Sequence, residues 1–240
     1  MQSKETTGKL YLIPSIISDD TQTLVLPPRL LQTLPGISHF LVENVRTARR
    51  FLSSLKIYPG IEPLQFNVLD KDTPLEAMRE MFAPIFSGSD MGVLSESGCP
   101  GIADPGALAV SFAHANGITV VPLVGPSSIL LALMASGLNG QRFAFHGYLP
   151  VQEGELVSAI RELERESSKK NQTQVFIETP YRNNRLMAAM LKVLRPDTEL
   201  CVALDLTGAA EKIRTAKVSA WKAQRVDFPK LPLVFLFLAK

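Results

Sequence analysis

The sequence predicts an α/β chain of two domains, a parallel-sheet N-terminal domain over residues 1–124 and a mixed-sheet C-terminal domain over residues 125–240. Three observations carry this. Short β-rich runs alternate with helical patterns from residue 8 to 123, the spacing of parallel strands joined by crossover helices and covered on both faces. A Gly-Pro break, Val124-Gly125-Pro126-Ser127-Ser128, then interrupts the alternation. Beyond it, four or five strand-like runs share only two substantial helices, which suits a partly antiparallel sheet. At 240 residues the chain is long enough for two modest cores.

Taken in order, Lys9 to Ile13 alternates and stops at Pro14-Ser15, giving a first strand with a polar loop at its exit. Pro27-Pro28 open a short helix that closes near Leu34-Pro35-Gly36. His39 to Val42 is a second strand, with Glu43-Asn44 at its exit. Arg46 to Leu55 is amphipathic: Ala48, Phe51, Leu52 and Leu55 form an apolar face opposite Arg46, Arg49 and Arg50. Those arginines suit either a solvated face or an anionic substrate. Gln65 to Leu69 is a third strand, and Thr73-Pro74 starts a helix whose Met78 and Met81 read as core. Residues 91–95 form the next strand. Asp104 then serves as N-cap, with Pro105 at the first position of a helix ended by Asn116-Gly117. Ile118 to Leu123 is the last strand of this domain.

After the break, Ile129 to Ala135 is an apolar helix closed by Ser136-Gly137. Arg142 to Tyr148 alternates as a strand, Glu153 to Ser168 is a charged amphipathic helix, and Gln174 to Glu178 is a strand leading into Thr179-Pro180-Tyr181-Arg182. Helix 183–194, strand Glu199 to Leu204, the turn Asp205-Leu206-Thr207-Gly208, a polar strand from Lys212 to Ala216 and a final strand from Leu233 to Leu238 complete the chain.

The most constrained stretch is Ser95-Glu96-Ser97-Gly98-Cys99-Pro100-Gly101-Ile102-Ala103-Asp104-Pro105-Gly106. Gly98 and Gly101 permit positive φ and close approach to bare backbone, while Pro100 and Pro105 remove N–H groups and fix φ. A rigid loop between a strand's carboxyl end and a helix start is where open α/β sheets bind small molecules, although an ordinary tight βα loop would read the same way. It is no P-loop, because Ile102-Ala103 follow Gly101 where Lys and Ser/Thr are required, and the dinucleotide fingerprint lacks its third glycine. Two acids, Glu96 and Asp104, favour a ligand with a cationic or hydroxyl-rich part over a polyphosphate.

Composition excludes other classes. With 46% hydrophobic and 20% charged residues the chain reads as globular and soluble, and a net charge of +2 neither demands nor excludes a nucleic acid. Cys99 and Cys201 supply no disulfide framework, and His39, His114 and His146 have no metal-ligand spacing, so no metal is expected. Met1 to Gly8 lacks the apolar core of a signal peptide. The longest apolar run, Leu233 to Ala239, is far short of the ~20 residues that span a bilayer. A cytoplasmic protein without membrane association is the expectation.

The loop at 95–106, the Gly125-Pro126-Ser127-Ser128 break, Phe145-His146-Gly147-Tyr148-Leu149-Pro150, Phe176-Ile177-Glu178-Thr179-Pro180-Tyr181-Arg182 and the Leu206-Thr207 turn occur in the order seen in tetrapyrrole-methylase-like (class III) S-adenosylmethionine-dependent methyltransferases. Within that superfamily the chain most resembles the small-subunit ribosomal RNA 2′-O-ribose (cytidine) methyltransferases. Each motif is weak alone; five in order, over nearly the whole chain, are specific. The resemblance implies the two-domain class III methyltransferase fold, S-adenosylmethionine as methyl donor in an interdomain cleft, and a homodimer. The N-terminal domain would take the acceptor side and the C-terminal domain the donor's adenosine. Donor contacts implied position by position are Ser95, Glu96, Gly98 and Asp104 in the loop and Pro126, Ser127 and Ser128 at the break. Phe145, Glu178, Tyr181, Leu206 and Thr207 follow in the second domain.

The chain departs from that family at four places. The first loop, usually Pro-Thr-Pro-Ile-Gly-Asn, reads Pro14-Ser15-Ile16-Ile17-Ser18-Asp19. Glu-Asp-Thr-Arg becomes Glu43-Asn44-Val45-Arg46, Glu-Leu-Thr-Lys becomes Asp205-Leu206-Thr207-Gly208, and Glu96 stands where a small residue is usual. The basic C-terminal extension common among the ribosomal RNA enzymes is missing. RNA is the first acceptor to consider, with Arg46, Arg49, Arg50, Arg182 and Arg185 as phosphate contacts. A ribose hydroxyl needs a general base, for which Glu43, Glu96 and His146 are candidates; His146 reads equally as a structural histidine, and Glu178 as an ordering group. A small-molecule (tetrapyrrole-type) methylase and a non-catalytic S-adenosylmethionine-binding module are the alternatives. The first of these fits less well, because the loop lacks the Gly-Gly-Asp-Pro typical of porphyrinogen enzymes.

Overall fold

A computed structural model describes residues 7–240. Residues 1–6, which hold most of the segment read as lacking a signal peptide's apolar core, lie outside the described residues. Backbone contacts divide the chain into two units that meet between Ser127 and Ser128.

The first unit runs β1 (Leu10–Ile13), α1 (Gln22–Val25), α2 (Pro28–Thr33), a 3-10 turn (Leu34–Gly36), β2 (His39–Val42), α3 (Val45–Ser54), β3 (Gln65–Val68), α4 (Leu75–Met81), α5 (Ala83–Phe86), β4 (Met91–Leu94), α6 (Gly106–Ala115) and β5 (Val120–Pro122). Its sheet has the order β3-β2-β4-β1-β5, and every pairing is parallel. Both faces are covered, so the strands alternate between two cores. Phe40, Val42 and Leu94 point to the core under α2 and α3, whereas Leu41 and Val93 point to the core with Met78 of α4, Ile85 of α5 and Ala109 of α6.

The second unit runs α7 (Ser128–Ser136), β6 (Phe143–Tyr148), α8 (Glu153–Lys170), β7 (Thr173–Glu178), α9 (Asn183–Val193), β8 (Glu199–Leu204), β9 (Lys212–Lys217), α10 (Val218–Lys222) and β10 (Leu233–Leu238). The strand order is β6-β7-β10-β8-β9, with β6 and β7 parallel and the other neighbours antiparallel. Leu156 and Ile160 of α8 and Leu186 and Met190 of α9 pack on one face with Phe176, Phe235 and Phe237. Ala132 and Leu133 of α7 pack on the other with Val175, Ala203 and Leu236. The α/β class with one parallel and one mixed sheet is therefore as the sequence predicts.

Two details differ from the sequence reading. The short helices α1, α5 and α10 carry too few residues to show a period. And Pro105, not Asp104, takes the N-cap position of α6, at φ −70 and ψ −4. Asp104 sits one residue earlier, where its carboxylate reaches both the helix start and the preceding loop.

Candidate functional site

Parallel register gathers the first part of the site. Ile13 and Val42 both lie opposite Leu94, so Pro14-Ser15, Glu43-Asn44 and Ser95-Glu96 leave the sheet at one edge, the carboxyl end of β1, β2 and β4. Open α/β sheets bind ligands there. Asn44 accepts from the N–H groups of Arg46 at 2.9 Å and Thr47 at 3.2 Å, fixing the start of α3.

The loop after β4 is tied to both neighbours. Gly98 O accepts from Ser15 N at 2.8 Å and from Ser95 Oγ at 2.9 Å. The Cys99 thiol reaches Pro126 O at 3.3 Å. Gly125 is held so close to Pro14 that a Cβ would fall 2.1 Å from Pro14 Cβ, a contact only glycine allows. Sequence reasoning assigned Ser15, Cys99 and Gly125 no such role, since none of the three carries a spacing signal. Gly98 and Gly101 have φ of +73° and +81°, as their glycines permit, and Ala103 shares the left-handed region at +62°.

Asp104 closes the loop. Its Oδ1 accepts from Gly101 N and Gly106 N, both at 2.7 Å, and its buried Oδ2 has no hydrogen-bond partner. Burial raises its pKa above the ordinary aspartate value, against those two N–H groups, which lower it. Glu43 is also raised, first by burial, then by the charges of Asp104 and Glu96. A groove of about 270 Å³ beside Ser15, Asp19, Arg50 and Glu96 flanks this acidic edge. A depression of about 540 Å³ runs past Glu43, Lys71, Asp104 and Leu108.

The second unit brings its own candidates together at one edge of its sheet. Leu233 lies opposite both Glu178 and Leu204, so β7 and β8 end together, and Thr179-Pro180-Tyr181 and Asp205-Leu206-Thr207 emerge side by side. Phe145, Ile177 and Leu206 lie on the sheet face covered by α7. Glu178, fully buried in its side chain, accepts from Thr179 N at 2.6 Å through Oε1. Its Oε2 lies 2.8 Å from an Arg182 guanidinium nitrogen, outside the angular range of a hydrogen bond, so that oxygen lacks a hydrogen-bond partner. Thr207 has φ of +69°, donates its N–H to Glu211 at 2.7 Å and leaves its buried Oγ1 without a partner. Tyr181 is 80% exposed, with Lys230 5.0 Å above its ring.

Several sequence candidates turn out to be engaged in structure. His146 Nε2 lies 2.6 Å from Oε1 of buried Gln174, next to the bulge at Phe145–Tyr148, which is the structural reading of this histidine. Arg182 is tied to Glu178 and, at 3.5 Å, to Pro150 O, so it is not free for phosphate; Arg185 donates to Val151 O at 3.1 Å. Arg49 lies 5.9 Å from the Phe66 ring and Arg50 3.9 Å from Asp19. Glu96 is exposed, and Ser127 and Ser128 straddle the unit boundary at the start of α7. Among the described residues no group of three or more His, Cys, Asp or Glu could hold a metal ion, and no helix is long and apolar enough to cross a membrane.

Parallel sheet, shaped loop and mixed second sheet together define the class III methyltransferase fold. The chain resembles the crystal structure of uroporphyrin-III-C-methyltransferase from Thermus thermophilus with a TM-score of 0.54 at 18% identity, covering 96% of this chain and 92% of that one. It resembles the methyltransferase CobJ with a TM-score of 0.59 at 14% identity, covering 98% and 100%. Likeness at that identity carries the fold alone.

Sequence narrows the class to a family. Residues 31–221 match the Tetrapyrrole (Corrin/Porphyrin) Methylases, and the chain belongs to that family. It is 30% identical to the Ribosomal RNA small subunit methyltransferase I of Vibrio cholerae over 95% of this chain and 76% of that protein. It is also 30% identical to the protein of the same name in Bacillus subtilis, over 90% and 70%. The chain is an S-adenosylmethionine-dependent methyltransferase.

Proposed function

We propose that this methyltransferase acts on a ribose 2′-hydroxyl of small-subunit ribosomal RNA. The names of the 30%-identical relatives support the acceptor. For the donor site the carrying observation is polar. Of six buried side-chain atoms without a hydrogen-bond partner among the described residues, three are Asp104 Oδ2, Glu178 Oε2 and Thr207 Oγ1. All three belong to the motif-derived donor set, and buried polar atoms without a hydrogen bond are few in folded proteins; Glu178 Oε2 is held by the Arg182 ion pair. Ser95, Gly98, Pro126, Ser127 and Ser128 complete that set in backbone and hydroxyl groups, Phe145 and Leu206 as apolar walls, and Tyr181 as an exposed ring. Glu96 and Asp104 suit a cationic group.

S-adenosylmethionine supplies a methyl group already activated by its sulfonium, so the chain's tasks are alignment and proton removal. Of the three candidate bases, Glu43 fits best. Its raised pKa strengthens it as a base, and it sits at the sheet edge beside Asp104. The hydroxyl proton passes to the Glu43 carboxylate as the ribose oxygen bonds the methyl carbon and the carbon–sulfur bond breaks. Arg46, the arginine of α3 with no ion pair or ring contact among the described residues, is a phosphate contact.

Radiolabelled S-adenosylmethionine offered with unmodified small ribosomal subunits, free ribosomal RNA and a porphyrinogen tests the reading. Label in RNA at ribose, lost in Glu43→Gln, is the expected result; label only in the porphyrinogen overturns the acceptor, and label in neither overturns both acceptors. We also propose a cytoplasmic homodimer. Light scattering should then give twice the chain mass at tens of micromolar protein, and a monomer would refute it.

A further inference from the structure

The second unit carries a basic groove that the methyl-transfer site does not use. Its floor is Val202 and Leu204 of β8 with Trp221 of α10, and its volume is about 300 Å³. Lys212 and Arg214, two residues apart on the edge strand β9, line it together opposite Leu204 and Val202. Arg225 closes the other side. This is the sheet face that packs with Trp221 and Phe235, opposite the face carrying Phe145 and Leu206.

The groove lining carries three cations, Lys212, Arg214 and Arg225, against one acid, Asp227, and the segment around it is basic. Residues 212–230 contain Lys212, Arg214, Lys217, Lys222, Arg225 and Lys230 against one acid, Asp227. That segment carries +5 in a chain of net +2, which leaves −3 for the remainder. None of the six cations makes an ion pair among the described residues. Asp227 is occupied, since its Oδ1 accepts from Asn184 Nδ2 at 2.7 Å. Arg214 is held in place: its guanidinium lies 4.2 Å from the Trp221 ring centroid and donates to Gln224 Oε1 at 2.7 Å. Edge-strand lysines discourage sheet-to-sheet pairing, which accounts for Lys212 and Lys217. It does not account for a fixed arginine or for Lys222 and Arg225, which lie off the strand. Lys212, Arg214 and Arg225 around an aromatic-floored groove fit the phosphates of an extended polyanion better than a single small anion.

We propose that this groove holds the phosphodiester backbone of the RNA acceptor. The proposal rests on the RNA reading above.

Trp221, the single tryptophan, is a built-in reporter. Its emission should change as ribosomal RNA fragments are titrated into the wild-type protein. Lys212→Ala/Arg225→Ala removes two exposed cations that no packing uses. Affinity at low salt should fall about tenfold, and the slope of log K against log salt should shrink by about 1.4, from ~0.7 per single-strand phosphate contact. S-adenosylhomocysteine binding and melting temperature should be unchanged. Lys169→Ala/Lys192→Ala, on α8 and α9, should leave the slope alone. RNA binding that is silent at Trp221, an unaltered slope, or an equal loss in both double variants would overturn the groove. If the wild type still labels ribosomal subunits in that case, the acceptor reading survives. A wild type that neither binds nor labels RNA would instead overturn the acceptor reading, and the groove with it.

Discussion

Asp104 is where the loop can be tested by a single atom. Its Oδ1 receives two N–H groups at 2.7 Å, from Gly101 on one side of Ala103 and from Gly106 at the first turn of α6. Hydrogen bonds to a charged acceptor contribute about 1.5–3 kcal/mol each. Removing both costs the loop roughly 3–6 kcal/mol before correction. The carboxylate is itself penalised by burial, so its removal returns part of that, leaving about 2–3 kcal/mol. Gly101 at φ +81° and Ala103 at φ +62° then lose the clasp that holds them in the left-handed region. If the donor needs this loop shape, Asp104→Ala should weaken S-adenosylhomocysteine binding roughly 30- to 150-fold, at about 1.4 kcal/mol per tenfold. Asp104→Asn keeps a neutral acceptor at Oδ1 and should lose about fivefold to tenfold. Isothermal calorimetry with S-adenosylhomocysteine reads both, alongside far-UV circular dichroism to verify the fold. Binding within twofold of wild type in Asp104→Ala, with a lowered melting temperature, would refute a donor role and leave Asp104 as scaffold.

Glu43 should couple activity and stability in opposite directions. Its folded pKa is raised, so the protonated form favours the fold: that contribution is complete below the ordinary glutamate value and is lost as pH rises through the raised one. Methyl transfer, which needs the carboxylate, should therefore fall with decreasing pH through the same window in which thermal stability rises, and Glu43→Gln should flatten the stability profile while abolishing transfer. A Glu43→Gln enzyme with wild-type turnover would remove the residue from the mechanism. At Gly98 the φ of +73° is a conformation that a β-branched side chain adopts only under strain, although Pro126 O, 3.5 Å from an added Cβ, would not clash. Gly98→Val should abolish donor binding with far-UV circular dichroism unchanged, and unaltered affinity would mean that the loop is only structural.

The fold was readable because its signals are local and repeated. Each βα unit of the first domain declares its strand by composition and several declare their helix by a proline, as at Pro27-Pro28 and Thr73-Pro74. The parallel register then follows from the connections. The site was readable only as motifs. Nothing in the spacing of Ser15, Gly98 and Gly125 says that one carbonyl takes two donors or that Pro14 abuts Gly125, since these contacts depend on the order β2-β4-β1. The same holds for His146, whose partner Gln174 is set by the β6–β7 register and its bulge. Arginines were over-read for a related reason. A sequence shows charge, but not that Glu178 lies four residues before Arg182 in a fully buried position that claims it.

The acids of this chain divide into two kinds, and the division supports the site. Glu164 of α8 is buried, yet its Oε1 accepts from Arg195 N at 2.8 Å and from the Thr198 hydroxyl, with the Arg195 guanidinium 3.8 Å away. That carboxylate closes the turn between α9 and β8, and its hydrogen bonds explain why it is there. Asp104 and Glu178 each satisfy one oxygen on neighbouring backbone and leave the other buried without a hydrogen bond. For Asp104 Oδ2 such an unmade bond costs about 1–3 kcal/mol, while Glu178 Oε2 is held instead by the Arg182 guanidinium at 2.8 Å. Glu43 adds a further cost by facing Asp104 and Glu96. Like charges gathered at the carboxyl edge of a sheet oppose folding, and they are offset once a ligand presents positive charge or donors. S-adenosylmethionine offers positive charge at its sulfonium and ammonium, and donors at its ammonium and ribose hydroxyls. Asp104 and Glu178, one in each unit, are both residues that the motifs single out.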